Sequence, residues 1–290
     1  MLGGFACSDY EVKNLTVEDV FEQTQDPPAD VLFVVDNSQS MSEEQLRLSE
    51  NFGTFVELLT TTTADYRLGV TTTDPAQGGV LVGEVITPDT PDPVVTFSTL
   101  VGVGTSGDRD EQGLAMAALG TREDVNLGFL RSDAVTHVVF VSDEDDHSPE
   151  ANVQRYVDAM LQNKPGESLF AHALVGDPPA GCLGGTSAAD AGTRYLEAVE
   201  LIGGLRESIC ADDYGVGFEA IGLEVSGGNP VFPLSQLAAR ETIEVWVEEV
   251  KMYQREIDGW TSSIGDNAVV FSGHAIPRPG MGVRIAYQPG

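Results

Sequence analysis

Two apolar runs constrain the fold more than anything else in this chain: Val31-Leu32-Phe33-Val34-Val35 and Val138-Val139-Phe140-Val141, each followed at once by acidic residues. Continuous β-branched and aromatic runs suit parallel strands covered on both faces, and ligands of open α/β sheets bind beyond the carboxyl ends of such strands. The first run delivers Asp36-Asn37-Ser38-Gln39-Ser40 to that edge, and the second delivers Ser142-Asp143-Glu144-Asp145-Asp146-His147. Hard oxygen donors at i, i+2 and i+4 of a turn converge readily on one divalent cation. The alternative for Asp36 is helix capping, because Asp and Ser ahead of Glu43 and Glu44 are ordinary N-terminal chemistry.

The segments around these runs alternate between strand and helix periodicity. Residues 30–35 read as a strand, residues 43–59 as a helix with Leu46, Phe52, Phe55, Val56 and Leu59 at helical spacing, and residues 66–73 as a second strand, which together make a βαβ unit. Prolines and short Val-rich runs in residues 78–100 predict a β-hairpin excursion or an antiparallel edge strand. Further helices are expected at 112–119, 149–162, 189–202 and 212–224, with strands at 136–142 and 168–175. The prediction is an α/β domain over residues 30–228, a doubly wound, mostly parallel central sheet flanked by helices. Residues 1–29 form a polar N-terminal extension in which 16–23 reads as an edge strand or short helix. From residue 229 onward, segments 242–247, 267–272 and 282–287 alternate apolar and polar residues between Gly and Pro clusters, predicting a small C-terminal antiparallel β unit.

Charge excludes some partners. Fifteen Lys and Arg against 46 Asp and Glu give a net charge of −31, which repels phosphate backbones and anionic lipid, so no nucleic acid partner is expected. No apolar stretch reaches the roughly 18 residues of a membrane span. Cys7, after a short run of mainly small residues, is compatible with a lipid anchor on a processed lipoprotein-type start. Cys182 and Cys210 lack the paired spacing of a zinc site and read as a disulfide, which would place the chain in an extracytoplasmic compartment: secreted, periplasmic or cell surface. Two unbonded buried thiols are the alternative.

Between the two acidic strand ends lies a glycine-rich loop, Gly102-Val103-Gly104-Thr105-Ser106-Gly107-Asp108. With Asp36-x-Ser38-x-Ser40 followed by Met41, this Thr-bearing loop and Asp143 at the end of a buried strand, residues 30–226 resemble a von Willebrand factor type A (VWA) domain with a metal-ion-dependent adhesion site, of the bacterial secreted and lipoprotein kind. The resemblance implies that Asp36, Ser38, Ser40, Thr105 and Asp143 surround Mg²⁺, or Ca²⁺ or Mn²⁺ in its place, some of them through water. Thr105 has the family's usual distance from the first motif but precedes the helix start at 111–114 by more residues than usual. Counting back from that helix puts Asp108 at the ligand position instead, where a further carboxylate would shift preference towards Ca²⁺. The resemblance also implies a non-enzymatic role. One coordination position stays open for an exposed carboxylate of a protein or matrix partner, and the cation bridges the two. The alternative function is a structural component of an extracellular or surface assembly that makes its contacts through the C-terminal β unit.

Residues 102–107 also match Gly-x-Gly-x-x-Gly, but the loop follows an irregular Pro-rich stretch rather than opening a βαβ unit, which argues against dinucleotide binding. No Gly-x-Ser-x-Gly elbow occurs, and His137, His147, His172 and His274 form no His-Glu-x-x-His pattern. His137 and His172 fall in predicted strands and read as core residues, whereas His147, among acidic residues, is a candidate additional metal ligand.

Overall fold

A computed structural model describes residues 15–23, 28–61, 65–164, 169–184, 187–226, 230–255, 259–263, 265, 267–271, 275–277 and 280–290. Cys7 and His274 lie outside them. In chain order the elements begin with β1 (Val17–Glu22), β2 (Ala29–Val35), α1 (Ser42–Thr61), β3 (Tyr66–Thr72), α2 (Pro93–Val101), α3 (Gly113–Gly120) and β4 (Val135–Ser142). There follow α4 (Val153–Asn163), β5 (Leu169–Val175), β6 (Cys182–Gly184), β7 (Ser187–Ala189), α5 (Thr193–Ile202), β8 (Arg206–Ser208) and α6 (Gly215–Val225). The last strands are β9 (Val231–Pro233), β10 (Glu244–Val247), β11 (Val250–Met252), β12 (Trp260–Ser263), β13 (Ala268–Phe271) and β14 (Gly282–Tyr287).

Residues 25–228 form one compact unit. Its centre is a five-stranded sheet in the order β3-β2-β4-β5-β8, and every strand pair within it is parallel. Alternation along β2 explains why the whole strand is apolar. Val31, Phe33 and Val35 face one layer, with Phe52, Phe55, Phe97 and Phe218 from α1, α2 and α6. Leu32 and Val34 face the other, with Leu114, Val157, Met160 and Tyr195 from α3, α4 and α5. This is the doubly wound α/β architecture expected from the sequence.

The stretch read as a hairpin or edge strand is mostly something else. Ile86 bridges to the sheet edge antiparallel to Leu68, and Val82 N–H bonds to the Val70 carbonyl at 2.7 Å, but no strand continues from there and residues 93–101 are helical. Pro93 stands in the first turn of α2, where a missing N–H costs nothing. Burial of Phe97 and Val101 against the sheet outweighs the modest helix propensity of Val94, Val95 and Thr96. The short strand β8 and the β6–β7 hairpin carry no apolar run for the sequence pattern to register. Cys182 and Cys210 are bonded, with Cα atoms 6.0 Å apart, and the bond ties β6 to the turn after β8.

The second compact unit joins β1 to the chain from residue 229 onward. It contains a four-stranded sheet, β1-β14-β10-β11, and a three-stranded sheet, β12-β13-β9, with all pairs antiparallel. The lead-in strand therefore pairs with the last strand of the chain, Val17 opposite Tyr287, a long-range pairing that no local pattern announces. Among the described residues no helix is long and apolar enough to cross a membrane.

Candidate metal centre

The strand order creates one topological switch point. From β2 the chain moves out to β3 on one side, and β4 then enters on the other side of β2, so the loops leaving β2 and β4 diverge and open a crevice at their carboxyl ends. Asp36 and Asp143 are the residues that leave these two strands. The Asp36 N–H still bonds to the Val141 carbonyl at 2.9 Å, which registers the two loops against each other.

Asp36 is fully buried. Its Oδ1 accepts the Ser38 N–H at 2.7 Å and its Oδ2 the Ser142 hydroxyl at 2.6 Å, so its side chain closes a local turn. Helix α1 begins only at Ser42, too far along for Asp36 to cap it. Ser38 Oγ lies 2.9 Å from Ser40 Oγ, and the Ser40 hydroxyl donates to Asp143 Oδ1 at 3.1 Å. Of the residues singled out from the sequence, Asp36, Ser38, Ser40 and Asp143 thus come together in one connected cluster spanning both strand ends.

Thr105 and Asp108 stand differently. Their loop is tied to the first one, through Gly107 N–H to the Asn37 carbonyl at 2.8 Å and through Gln45 Nε2, which donates to both the Asp36 and Gly104 carbonyls. Among the described residues no hydrogen bond joins the Thr105 or Asp108 side chain to the cluster. Asp108 is exposed, and its Oδ1 accepts the N–H groups of Arg109 and Asp110. His147 is exposed too, and its backbone N–H bonds to the Glu111 carbonyl at 2.6 Å. Asp146 serves the fold, pairing with Arg194 at 3.0 Å and accepting the Leu114 N–H at 3.0 Å, which pins the start of α3. His137 and His172 are buried and bond to each other at 3.0 Å.

Glu111, which sequence pattern treats only as part of a helix start, is the residue that the structure adds. It is fully buried, its Oε2 accepts the Thr73 hydroxyl, and its carboxyl is close enough to feel the charge of Asp36. Thr73 N–H in turn bonds to the Val35 carbonyl, so the end of β3 carries Glu111 to the same crevice. The signal for it was its place just before Gly113, where α3 starts beside the switch point.

The electrostatics follow from crowding carboxylates out of water. Burial and the Asp36 charge push Glu111 up to about 8 and Asp143 up to about 7. Burial also raises Asp36, against the hydrogen bonds from Ser142 and Ser38, and raises Glu144, with the Asp36 charge adding to it. Two of the buried acceptor oxygens here, Glu44 Oε2 and Glu111 Oε1, receive no hydrogen bond. Buried anionic oxygens short of donors are costly unless a cation or proton compensates them. Among the described residues no three carboxylate, imidazole or thiol side chains converge tightly enough to form a cage by themselves, and the donor set is instead mixed, carboxylates with hydroxyls. All of its donors are oxygen, the chemistry that Mg²⁺, Mn²⁺ and Ca²⁺ prefer.

No known family profile and no curated relative matches the chain. Solved structures do. The pilus adhesin SpaC of Lactobacillus rhamnosus GG, in its open conformation, superposes with a TM-score of 0.52 at 11% identity over 94% of this chain. Proximal thread matrix protein 1 from the mussel byssus, with a zinc-occupied MIDAS motif, gives 0.46 at 12% identity over 72% of this chain and 48% of its own. The chain spans 40% of the length of the pilus adhesin, and at that identity what the two share is the fold.

Proposed function

We propose that this chain is a VWA-type, metal-dependent adhesion module working outside the cytoplasm, in which Asp36, Ser38, Ser40 and Asp143 hold a divalent cation and a carboxylate oxygen of a protein or matrix partner takes its open position. The observation that carries this reading is the hydrogen-bonded chain Ser38–Ser40–Asp143 beside buried Asp36, which gathers hard oxygen donors from two strand ends at the switch point. The Cys182–Cys210 bond supports the oxidising location, and the fold shared with a pilus adhesin is in keeping with the role.

Calorimetric titration of chelator-stripped protein with MgCl₂, MnCl₂ and CaCl₂ tests it. At least one cation should bind, and Ser40→Ala should weaken it by about tenfold or more. Ser40 is exposed, so this change spares the core. Asp36→Ala should abolish binding altogether. Absence of cation binding by the unaltered protein would sink the proposal, as would binding that both substitutions leave intact.

The structural-assembly reading depends on strand addition to the C-terminal unit, and the edges of its four-stranded sheet discourage it. Edge strand β11 has three residues with Lys251 at its centre, and edge strand β1 carries Glu18, Asp19 and Glu22. Short, charged edges are how natural sheets avoid further pairing.

A further inference from the structure

We propose that a second site, built at the carboxyl ends of β5 and β8, binds a free α-amino acid with an aliphatic side chain. It shares no residue with the cation cluster and does not depend on it.

The site is a cavity of about 310 Å³ bounded by the residues that leave β5, by β8 and by Leu196 of α5. That volume lies at the lower end of the roughly 300–1,000 Å³ of small-ligand pockets, which calls for a small occupant. Strand register decides what faces it. Ala173 and Val175 belong to the layer packed by α5, and they stand opposite Arg206 and Ser208, so Arg206 and Ser208 turn to that same face. Glu207 also borders the cavity, but it stands opposite Leu174 of the other layer, and its side chain fills the space a Cβ on Gly217 of α6 would need. Val175, Pro178 and Leu196 supply the apolar lining.

The charges at the rim carry the assignment. Arg206 is exposed, and among the described residues its side chain joins no hydrogen bond or ion pair, whereas Arg131, Arg194 and Arg284 are held by Asp30, Asp146 and Glu18. Asp177 lines the same cavity without pairing with Arg206. Its Oδ2 accepts the Ser208 hydroxyl at 2.9 Å, and Ser208 Oγ accepts the Cys210 N–H at 3.2 Å. The turn that the Cys182–Cys210 bond closes therefore holds this carboxylate in place. A guanidinium and a carboxylate that border one small cavity without neutralising each other suit a ligand bearing both charges. Its carboxylate meets the fork of Arg206 and its ammonium meets Asp177, which leaves an aliphatic chain for Val175, Pro178 and Leu196. A free α-amino acid carries those three groups on one carbon.

Calorimetric titration of the full chain with L-leucine, L-isoleucine, L-valine and L-methionine tests the assignment, with chelator present so that no cation contributes. At least one of the four should bind. Its analogues lacking the ammonium or the carboxylate, isocaproate and isoamylamine in the case of leucine, should bind about tenfold more weakly or worse. Arg206→Ala and Asp177→Asn should each cause a loss of similar size. Both residues are exposed, so the variants should melt, free of ligand, at the temperature of the unaltered chain. Absence of binding by all four amino acids overturns the proposal, as does binding that Arg206→Ala leaves intact or an analogue without the ammonium that binds as tightly as its parent.

Discussion

Replacing Phe33 with alanine should lower the unfolding free energy by about 3–5 kcal/mol, read from urea denaturation of purified protein. Phe33 is fully buried in the middle of β2, and its ring meets Phe52 at 5.1 Å, Phe55 at 5.5 Å and Phe97 at 4.9 Å, all edge-on. Those three rings come from two helices, α1 and α2, and Phe52 passes the packing on to Phe218 of α6 at 4.3 Å. Truncation would leave a cavity that rings held by one another cannot collapse to fill. Leu46→Ala is the contrast, since Leu46 lies on α1 but is 60% exposed, and its loss should stay within about 0.5 kcal/mol. A Phe33→Ala loss below about 1 kcal/mol would mean that the aromatic cluster does not hold α1 and α2 to the sheet. Because β2 also carries Asp36 to the crevice, the same substitution should weaken cation binding without touching a ligand.

What could be read from the sequence follows the physics of burial. β2 and β4 were legible because strands covered on both faces have no solvent side, so every residue is apolar and the run is continuous. The acidic residues at their ends were legible as a site for the same reason, since a carboxylate has no business beside such a run unless something holds it there. α2 was misread because its cues compete. Pro91, Pro93 and the Val pair suggest an edge strand, and only the tertiary contacts of Phe97 and Val101 decide otherwise. The pairing of β1 with β14 was hidden because partner strands at opposite ends of a chain leave no trace in local periodicity. Glu111 was passed over because a carboxylate at a helix start has an ordinary explanation in capping. Its actual partners, Thr73 and Asp36, lie 38 and 75 residues away in the sequence. The turn Asp36–Ser40 has lost its capping alternative, and it remains joined by hydrogen bonds to Asp143 rather than to the glycine loop's side chains.

The largest solvent-dependent effect should come from this same crevice: metal-free protein is expected to lose stability as pH rises above neutrality, and divalent cation to abolish the loss. Glu111 keeps its proton in the folded chain up to about 8 against an ordinary value of 4.5, and Asp143 up to about 7 against 3.8. Between those values the folded state binds protons that the unfolded state has released, so unfolding free energy falls with rising pH. The buried histidines act with opposite sign. His172 is held down to about 4 and His137 is lowered too, both by burial, so they add stability with rising pH until the unfolded imidazoles are neutral near 6.5. Below that point the two trends oppose, and above it the carboxylates act alone. From about pH 6.5 to about pH 8 the metal-free chain should lose about 2 kcal/mol through Glu111, measured by urea denaturation in the presence of chelator. Saturating CaCl₂ should flatten the curve over this range, because a cation binds the deprotonated carboxylates and releases their protons from the folded state as well. Glu111→Gln should remove the larger part of it without any cation, leaving the smaller part that Asp143 contributes. A decline that neither CaCl₂ nor Glu111→Gln diminishes would assign the buried charge to some other group. A decline that Glu111→Gln lessens and CaCl₂ does not would leave Glu111 as a buried acid with no ion to serve.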